Sequence, residues 1–455
     1  MNYKEYFKYV LLNILGMAGI SCYILADTFF VSKAIGTQGL ASLNFAIPVY
    51  NFINGIGLMF GIGGATLFTI LKNQNNHDKA DKIFTYTFFI SVLTSTLLLM
   101  TGLLFSEQLS HLLGADNTTI IMTQNYLKIL LCFSPFFIIN NVFLAFVRND
   151  GAPKLSTAAM IIGSLSNIVL DYISMFIFGL GITGAALATG IAPVLSILIM
   201  LTHMKNCSFK LKFSISDNDN GHSIKSRHFC LIIRNFCHEL KRIISLGISS
   251  FIIEFSSGIV LVVFNIIIMG LKGSTGVAAY GIIANISLVI LAVFTGTAQG
   301  IQPLASRFFG IGDLLSQKKV LRLSVVTSTL IAVVSYCLLI VFSDNIISVF
   351  NSDNNTELKS IAATGFAIYF CGFIFAGFNI VNSAFLSATQ KTKPAFVISV
   401  FRGFIIIPVV IVFSVIFKMK GVWLSFTVTE LITAVIGIII IMKLLFSHIP
   451  NKMDI

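Results

Sequence analysis

Charge is what this sequence has least of. Charged residues make up 11% of its 455 positions, against about 25% in soluble globular domains, and the mean hydropathy is +0.93. A soluble fold is excluded. Acidic side chains are the scarcest, 18 against 30 Lys and Arg. The seven cysteines (Cys22, Cys132, Cys207, Cys230, Cys237, Cys337 and Cys371) contain no Cys-x-x-Cys pair, so neither a disulfide framework nor a metal cluster is indicated. The histidines (His77, His111, His203, His222, His228, His238 and His448) fall mainly in loops and put no metal-binding pair on an apolar stretch. His-Glu-x-x-His, Gly-x-Ser-x-Gly and Gly-Lys-Ser are all missing. No enzyme, metal or organic cofactor is therefore expected. Short alternating segments are absent too, which excludes a β-barrel.

What the chain has instead is continuous apolar runs, such as 97–100 and 438–442. A helix needs about 20 such residues to cross a bilayer. The pattern predicts an all-α polytopic membrane protein with twelve transmembrane helices, at 9–35, 39–71, 83–105, 118–147, 155–180, 182–204, 243–271, 276–307, 321–343, 356–388, 395–417 and 421–446. The first run is too long for a signal-peptide core and lacks a small-residue cleavage site, so it reads as span one. The net charge of +12 does not indicate nucleic acid, because the basic residues sit between spans. Lys4, Lys8, Lys72, Lys79, Lys82, Arg148, Lys154, Arg307, Lys318, Lys319, Lys391, Lys393 and Lys443 fall on one side, with Lys205, Lys210, Lys212, Lys225, Arg227, Arg234, Lys241 and Arg242 between spans six and seven. The other side has only Lys33, Lys128, Lys272, Lys359, Lys418 and Lys420. This asymmetry places both termini in the cytoplasm and the protein in the cell membrane.

The chain repeats itself. A polar stretch at 205–242 separates an amino-terminal six-helix unit, 1–204, from a carboxyl-terminal one, 243–455. Gly36-Thr37-Gln38-Gly39-Leu40-Ala41-Ser42 after span one matches Gly273-Ser274-Thr275-Gly276-Val277-Ala278-Ala279 after span seven. Phe143-Leu144-Ala145 matches Phe385-Leu386-Ser387, and the sixth spans open alike at Gly184 and Gly421. Two units of one orientation indicate parallel repeats, an arrangement that binds substrate between or within the halves and rocks them.

Against this background the intramembrane acids stand out: Asp27, Asp171, Glu254 and Glu430. A charge at that depth costs several kcal/mol and is usually functional. At a rise of about 1.5 Å per residue, Asp27 and Asp171 lie about 27 and 24 Å along spans running outward, and Thr189 about 10 Å from the outer end of span six. All three share one layer. Asn167 is four residues from Asp171, on the same helix face. Two carboxylates in one low-dielectric pocket do not both ionise easily, which suits exchange of protons or a monovalent cation. The bland alternative is hydrogen-bonded glue between helices. Glu254 lies about 15 Å into span seven, as a second cation site or as a partner of Arg402, the intramembrane Arg about 10 Å into span eleven. Glu430 reads as structural, paired with another buried charge.

Ala26-Asp27-Thr28-Phe29-Phe30-Val31 with Gly36 and Pro48 resembles the start of a multidrug and toxic compound extrusion (MATE) transporter. The resemblance continues through Phe146 to Lys154, through Asn167-Ile168-Val169-Leu170-Asp171 and Gly181 to Thr189, and through Gln299-Gly300-Ile301-Gln302-Pro303-Leu304. It implies two six-helix lobes in a V shape and cation-coupled efflux of drugs. It also implies that Asp27, Asn167, Asp171 and Thr189 form the coupling site. Family members often carry an Asn four residues before the span-four Arg; here that residue is Leu144, so Asn140 or Asn141 substitutes or the ligand is missing. Some members pair a span-seven Glu, matched by Glu254, with an Asp on span ten. Span ten here has no acid from Ala363 to Ala388, which assigns Glu254 to substrate contact or gating, with Gln299 and Arg402. The expected function is antiport of amphipathic, cationic drugs against inward protons or sodium by a monomer in the bilayer, with the proton or Na+ as the sole coupling ligand. The competing readings are a flippase for a lipid-linked substrate, an intramembrane enzyme and a channel.

Overall fold

A computed structural model describes residues 1–205, 207–211, 225–350 and 355–446 of the chain. Lys212, His222 and His448, and the side chains of Lys225, Arg227, His228 and Cys230, lie outside the described residues.

The described residues are helical almost throughout. In chain order the helices are α1 (Tyr3–Ala34), α2 (Thr37–Asn73), α3 (His77–Leu112), α4 (Ile120–Cys132), α5 (Ser134–Asn149), α6 (Pro153–Tyr172), α7 (Gly181–Leu201), α8 (Lys225–Gly310), α9 (Leu314–Val341), α10 (Ser343–Phe350), α11 (Thr356–Tyr369), α12 (Phe373–Ala388), α13 (Thr392–Val400) and α14 (Ile406–Phe446). Among the described residues, nine segments are long and apolar enough to cross a membrane, or ten with the bent pair α4–α5. Two of these ten, at Arg234–Gly310 and Thr392–Lys443, are each folded in two by a backbone break, at Gly273 and Lys418. Ten segments with two doubled make twelve spans.

The helices repeat in shape as well as in sequence. The fourth span is bent by 47° between α4 and α5, and its counterpart is interrupted by a 3₁₀ turn at Phe370–Gly372 between α11 and α12. The fifth span ends in a π-helical turn at Ile173–Ile177, and the eleventh contains one at Phe401–Ile405. Four reversals use one device. Gly36, Gly181, Gly273 and Lys418 have positive φ (81°, 56°, 59° and 52°), and three residues after each comes a glycine: Gly39, Gly184, Gly276 and Gly421. A Cβ on any of these second glycines would crowd the Cβ of the residue four before it, namely Ile35, Leu180, Lys272 or Phe417. The left-handed residue turns the chain, and the missing side chain lets the next helix start close against the last.

Packing follows the chain halves except at the start of the second, where Ile243 and Leu246 join the first core. One apolar core gathers buried residues from Val31 to Leu246, and a second gathers residues from Phe264 to Phe426. A smaller core joins Tyr6, Tyr9 and Val10 of α1 to Ile301, Leu304 and Phe308 of α8. Outward-facing residues such as Leu97, Leu104, Val415 and Ile439 are large, apolar and exposed, as a lipid-facing surface requires. Contact between the halves runs mainly through α1 and α2 against α8. A Cβ on Gly63 would meet the Ile243 carbonyl, and one on Gly247 the Met59 carbonyl, so the two backbones touch where they cross.

The polar stretch after α7 does not simply leave the bundle. Phe209 is fully buried among Phe68, Phe84 and Phe146, with its ring 4.5 Å from that of Phe84. Its neighbours are clamped by acids: Asp150 accepts from the Ser208 amide and from Lys72 and pairs with His203, while Asp81 accepts from the Lys210 amide. Burial works against ionisation of Asp150, but the hydrogen bonds from Lys72, Ser208 and His203 prevail and hold its carboxyl below the usual range.

Candidate functional site

Asp27 on α1 faces α6 and α7 of the same half. Asp171, Asn167 and Thr189 are 0%, 0% and 5% exposed, and Asp27 is 7% exposed. With its amide nitrogen turned to Asp171, Asn167 donates to Asp171 Oδ2 at 3.0 Å and its oxygen accepts from the Thr189 amide at 3.2 Å. Asp27 and Asp171 lie within electrostatic reach of each other. One oxygen on each, Oδ1, is buried with no hydrogen-bond partner, and among the described residues neither carboxylate pairs with a Lys or Arg. The small residues Gly184, Ala185, Ala186 and Ala188 bring α7 close enough for Thr189 to reach this layer. The π-helical turn starts two residues beyond Asp171, where an extra residue per turn re-aims the chain. The predicted set Asp27, Asn167, Asp171 and Thr189 is thus assembled in one buried layer.

Three tyrosines complete that layer. Tyr126 of α4 lies near Thr189 and is within electrostatic reach of both acids. The hydroxyls of Tyr23 and Tyr50 are 2.8 Å apart. Tyr23 is one helical turn before Asp27, an i, i+4 signal that the sequence does carry. Tyr50 and Tyr126 come from α2 and α4, and no local pattern marks them.

Other expected residues sit elsewhere. Asn141 does not join the acid pair. It lies against Gly57, where the lack of a side chain draws it to α2, and it donates to Asn54 Oδ1 at 2.8 Å and to the Phe137 carbonyl at 3.1 Å. Asn54 in turn donates to Glu254 Oε1 at 2.8 Å, so Asn141, Asn54 and Glu254 form one chain across the two halves. Tyr50 is within electrostatic reach of both Glu254 and Asp27, which brings this chain beside the acid layer. The expected pairing of Glu254 with Arg402 is not made. Arg402, set in its π-helical turn, donates Nε to Glu430 Oε1 at 2.7 Å, and Asn379 holds the other oxygen at 2.7 Å. Glu430 is consumed by that pair, with side chains 10% and 3% exposed. Gln299 accepts from Arg148 at 2.8 Å, in the seam between α5 and α8.

The MatE family model matches residues 13–173 and again 248–412. The chain belongs to the MATE family. It is a transporter rather than an enzyme, and one matched block falls in each half of the chain. The curated relatives include the multidrug export protein MepA of Staphylococcus saprophyticus, 25% identical over 426 residues, 92% of this chain and 89% of that protein. The fold matches the outward-facing conformation of a multidrug resistance MATE family transporter with a TM-score of 0.87, at 19% identity over 98% of this chain and 96% of that one. A MOP superfamily transporter from Pyrococcus furiosus, described by the reverse polarity of its binding pocket and a different function, matches at a TM-score of 0.84 and 19% identity over 96% of this chain and 94% of that one. Fold alone therefore does not name the substrate of this MATE protein; its own side chains must.

Proposed function

We propose that this MATE transporter exports amphipathic, cationic drugs in exchange for protons or sodium ions. Asp27, Asp171, Asn167 and Thr189 bind the coupling ion. The observation that carries this reading is the unpaired acid layer: two buried carboxylates, each with an orphan oxygen, ringed by neutral amide and hydroxyl groups. Carboxylates without a resident Lys or Arg take an exchangeable cation, and a second acid nearby lets one ion or drug displace another. The multidrug export named for the MepA relative supports the same class of substrate.

In this reading the lobes are 1–204 and 243–455, the 205–242 linker joins them on the cytoplasmic side, and they move against each other. Glu254, at the join, contacts the cationic drug; Gln299 acts in gating. A flippase would need a basic cavity for pyrophosphate. The buried Arg148 and Arg402 are both engaged with protein oxygens, which argues against that alternative.

Purified protein in proteoliposomes tests the reading. A fluorescent cationic dye should move only while a proton or sodium gradient is imposed, and an ionophore should stop it. Dye movement that ignores both gradients would remove the antiport assignment.

A further inference from the structure

The seam between the halves carries a cation that none of the foregoing uses. Arg148, near the end of α5, is 2% exposed. Its Nη1 donates to Asn13 Oδ1 of α1 at 3.1 Å and to Gln299 Oε1 of α8 at 2.8 Å. Its Nε is buried and has no partner. Among the described residues no carboxylate pairs with it. Among the described residues, Arg402, the other buried Arg of the interior, holds Glu430, and the half-buried Arg307 grips Glu5 through two bonds of 2.7 and 2.9 Å.

Around Arg148 the halves are bolted together. Asn149 donates to Gln302 Oε1 at 3.0 Å, and Gln302 donates to Thr66 at 2.6 Å. Tyr6 donates to Thr327 at 3.1 Å. Gly296 and Gly300 let the α1 backbone lie on α8, since a Cβ on either would come within 2.7 Å of Ile14 or Val10 Cα. Between this layer and the end of the bundle that holds the N-terminus lies a cavity of about 180 Å3, with Tyr9, Asn149, Leu304 and Arg307 in its wall.

We propose that Arg148 is a positioning residue of the transport cycle, a gate residue whose uncompensated charge keeps the closed seam from becoming too stable to open. The inference rests on the alternating-access reading above. A buried guanidinium held by two neutral oxygens keeps a desolvation cost that separation of the halves relieves, because water then reaches it. Gln299 offsets that cost from the opposite half. The charge and its acceptor therefore act in opposite directions on one equilibrium.

The test is the rate at which a membrane-impermeant maleimide modifies Leu304→Cys, in a background free of native cysteines, with the full-length protein in nanodiscs. Leu304 is 1% exposed in this closed seam, so modification reports opening. No drug and no ion gradient is present, so the gate is read even if the efflux assignment fails in dye transport. Arg148→Met, similar in length but apolar, should slow modification at least threefold and raise Tm. In transport it should lower kcat with KM unchanged. Gln299→Leu, which leaves the guanidinium more exposed to an apolar wall, should speed modification at least threefold. Shifts in the same direction, or no shift in either variant, would overturn the proposal. An Arg148→Met protein that misfolds would overturn it as well, since it would show the charge supporting the closed packing.

Discussion

A carboxylate that exchanges its ligand has to be buried enough to bind and unpaired enough to release. Asp27 and Asp171 meet both conditions, whereas Glu430 meets only the first, because Arg402 is paired with it. Asp27→Asn and Asp171→Asn each keep the shape of the site and remove its exchangeable charge. Dye transport by either should fall to the level of empty vesicles at wild-type abundance; normal transport by either would unseat the site. Glu254 differs in kind. Gln at 254 keeps the oxygen that accepts from Asn54, so the chain through Asn141 survives. Glu254→Gln should then weaken export of cationic drugs by about tenfold, or about 1.4 kcal/mol, while neutral drugs are spared. A uniform loss across a panel of cationic and neutral drugs would instead place part of the coupling machinery at Glu254.

At the scale of elements, the repeated reversals make an internal control. Three of the four left-handed positions are glycine and the fourth is Lys418, at φ 52° and ψ −132°. That region is nearly reserved for glycine, and a side chain there costs about 1–3 kcal/mol. Lys418→Gly should stabilise the protein, with about 2 °C in Tm for each kcal/mol relieved, whereas Gly273→Lys should destabilise it. Equal melting of Lys418→Gly and wild type would show that the strain is absorbed elsewhere. The clamp on Phe209 has its own signature. Asp150 is held below the usual carboxylate range, so its stabilising share is complete above about pH 4 and fades only as pH falls through the lower folded-state value. At neutral pH, Asp150→Asn should loosen the segment after α7, seen as faster protease cleavage within 205–242.

For the whole molecule, the acid layer and the inter-half chain lie side by side, with Tyr50 in reach of Asp27 and Glu254 alike. In the proposed antiport, protons compete with a cationic drug for the same carboxylates. Dye affinity of purified protein should therefore weaken as pH falls from about 8 to about 5, or as sodium replaces an inert cation. Affinity unmoved by both would remove the ion competition on which antiport depends.

Much of this was legible in the residues alone. Hydropathy placed a predicted span on each long apolar helix, because a bilayer core demands long apolar runs whatever their neighbours. Gly36-x-x-Gly39 and Gly273-x-x-Gly276 marked the repeat and stand at two of the reversals, where few residues tolerate positive φ; Lys418 carries no such signal. Asn167, Asp171 and Thr189 could be grouped from spacing and depth, since helix geometry fixes both. Partner choice was not legible. That Arg402 takes Glu430 and leaves Glu254 to Asn54, that Asn141 turns to α2 at Gly57, and that Arg148 is bound by amides alone depend on which faces of distant helices meet. A side chain's period along its own helix says which way it points, but only the packed bundle decides what stands opposite.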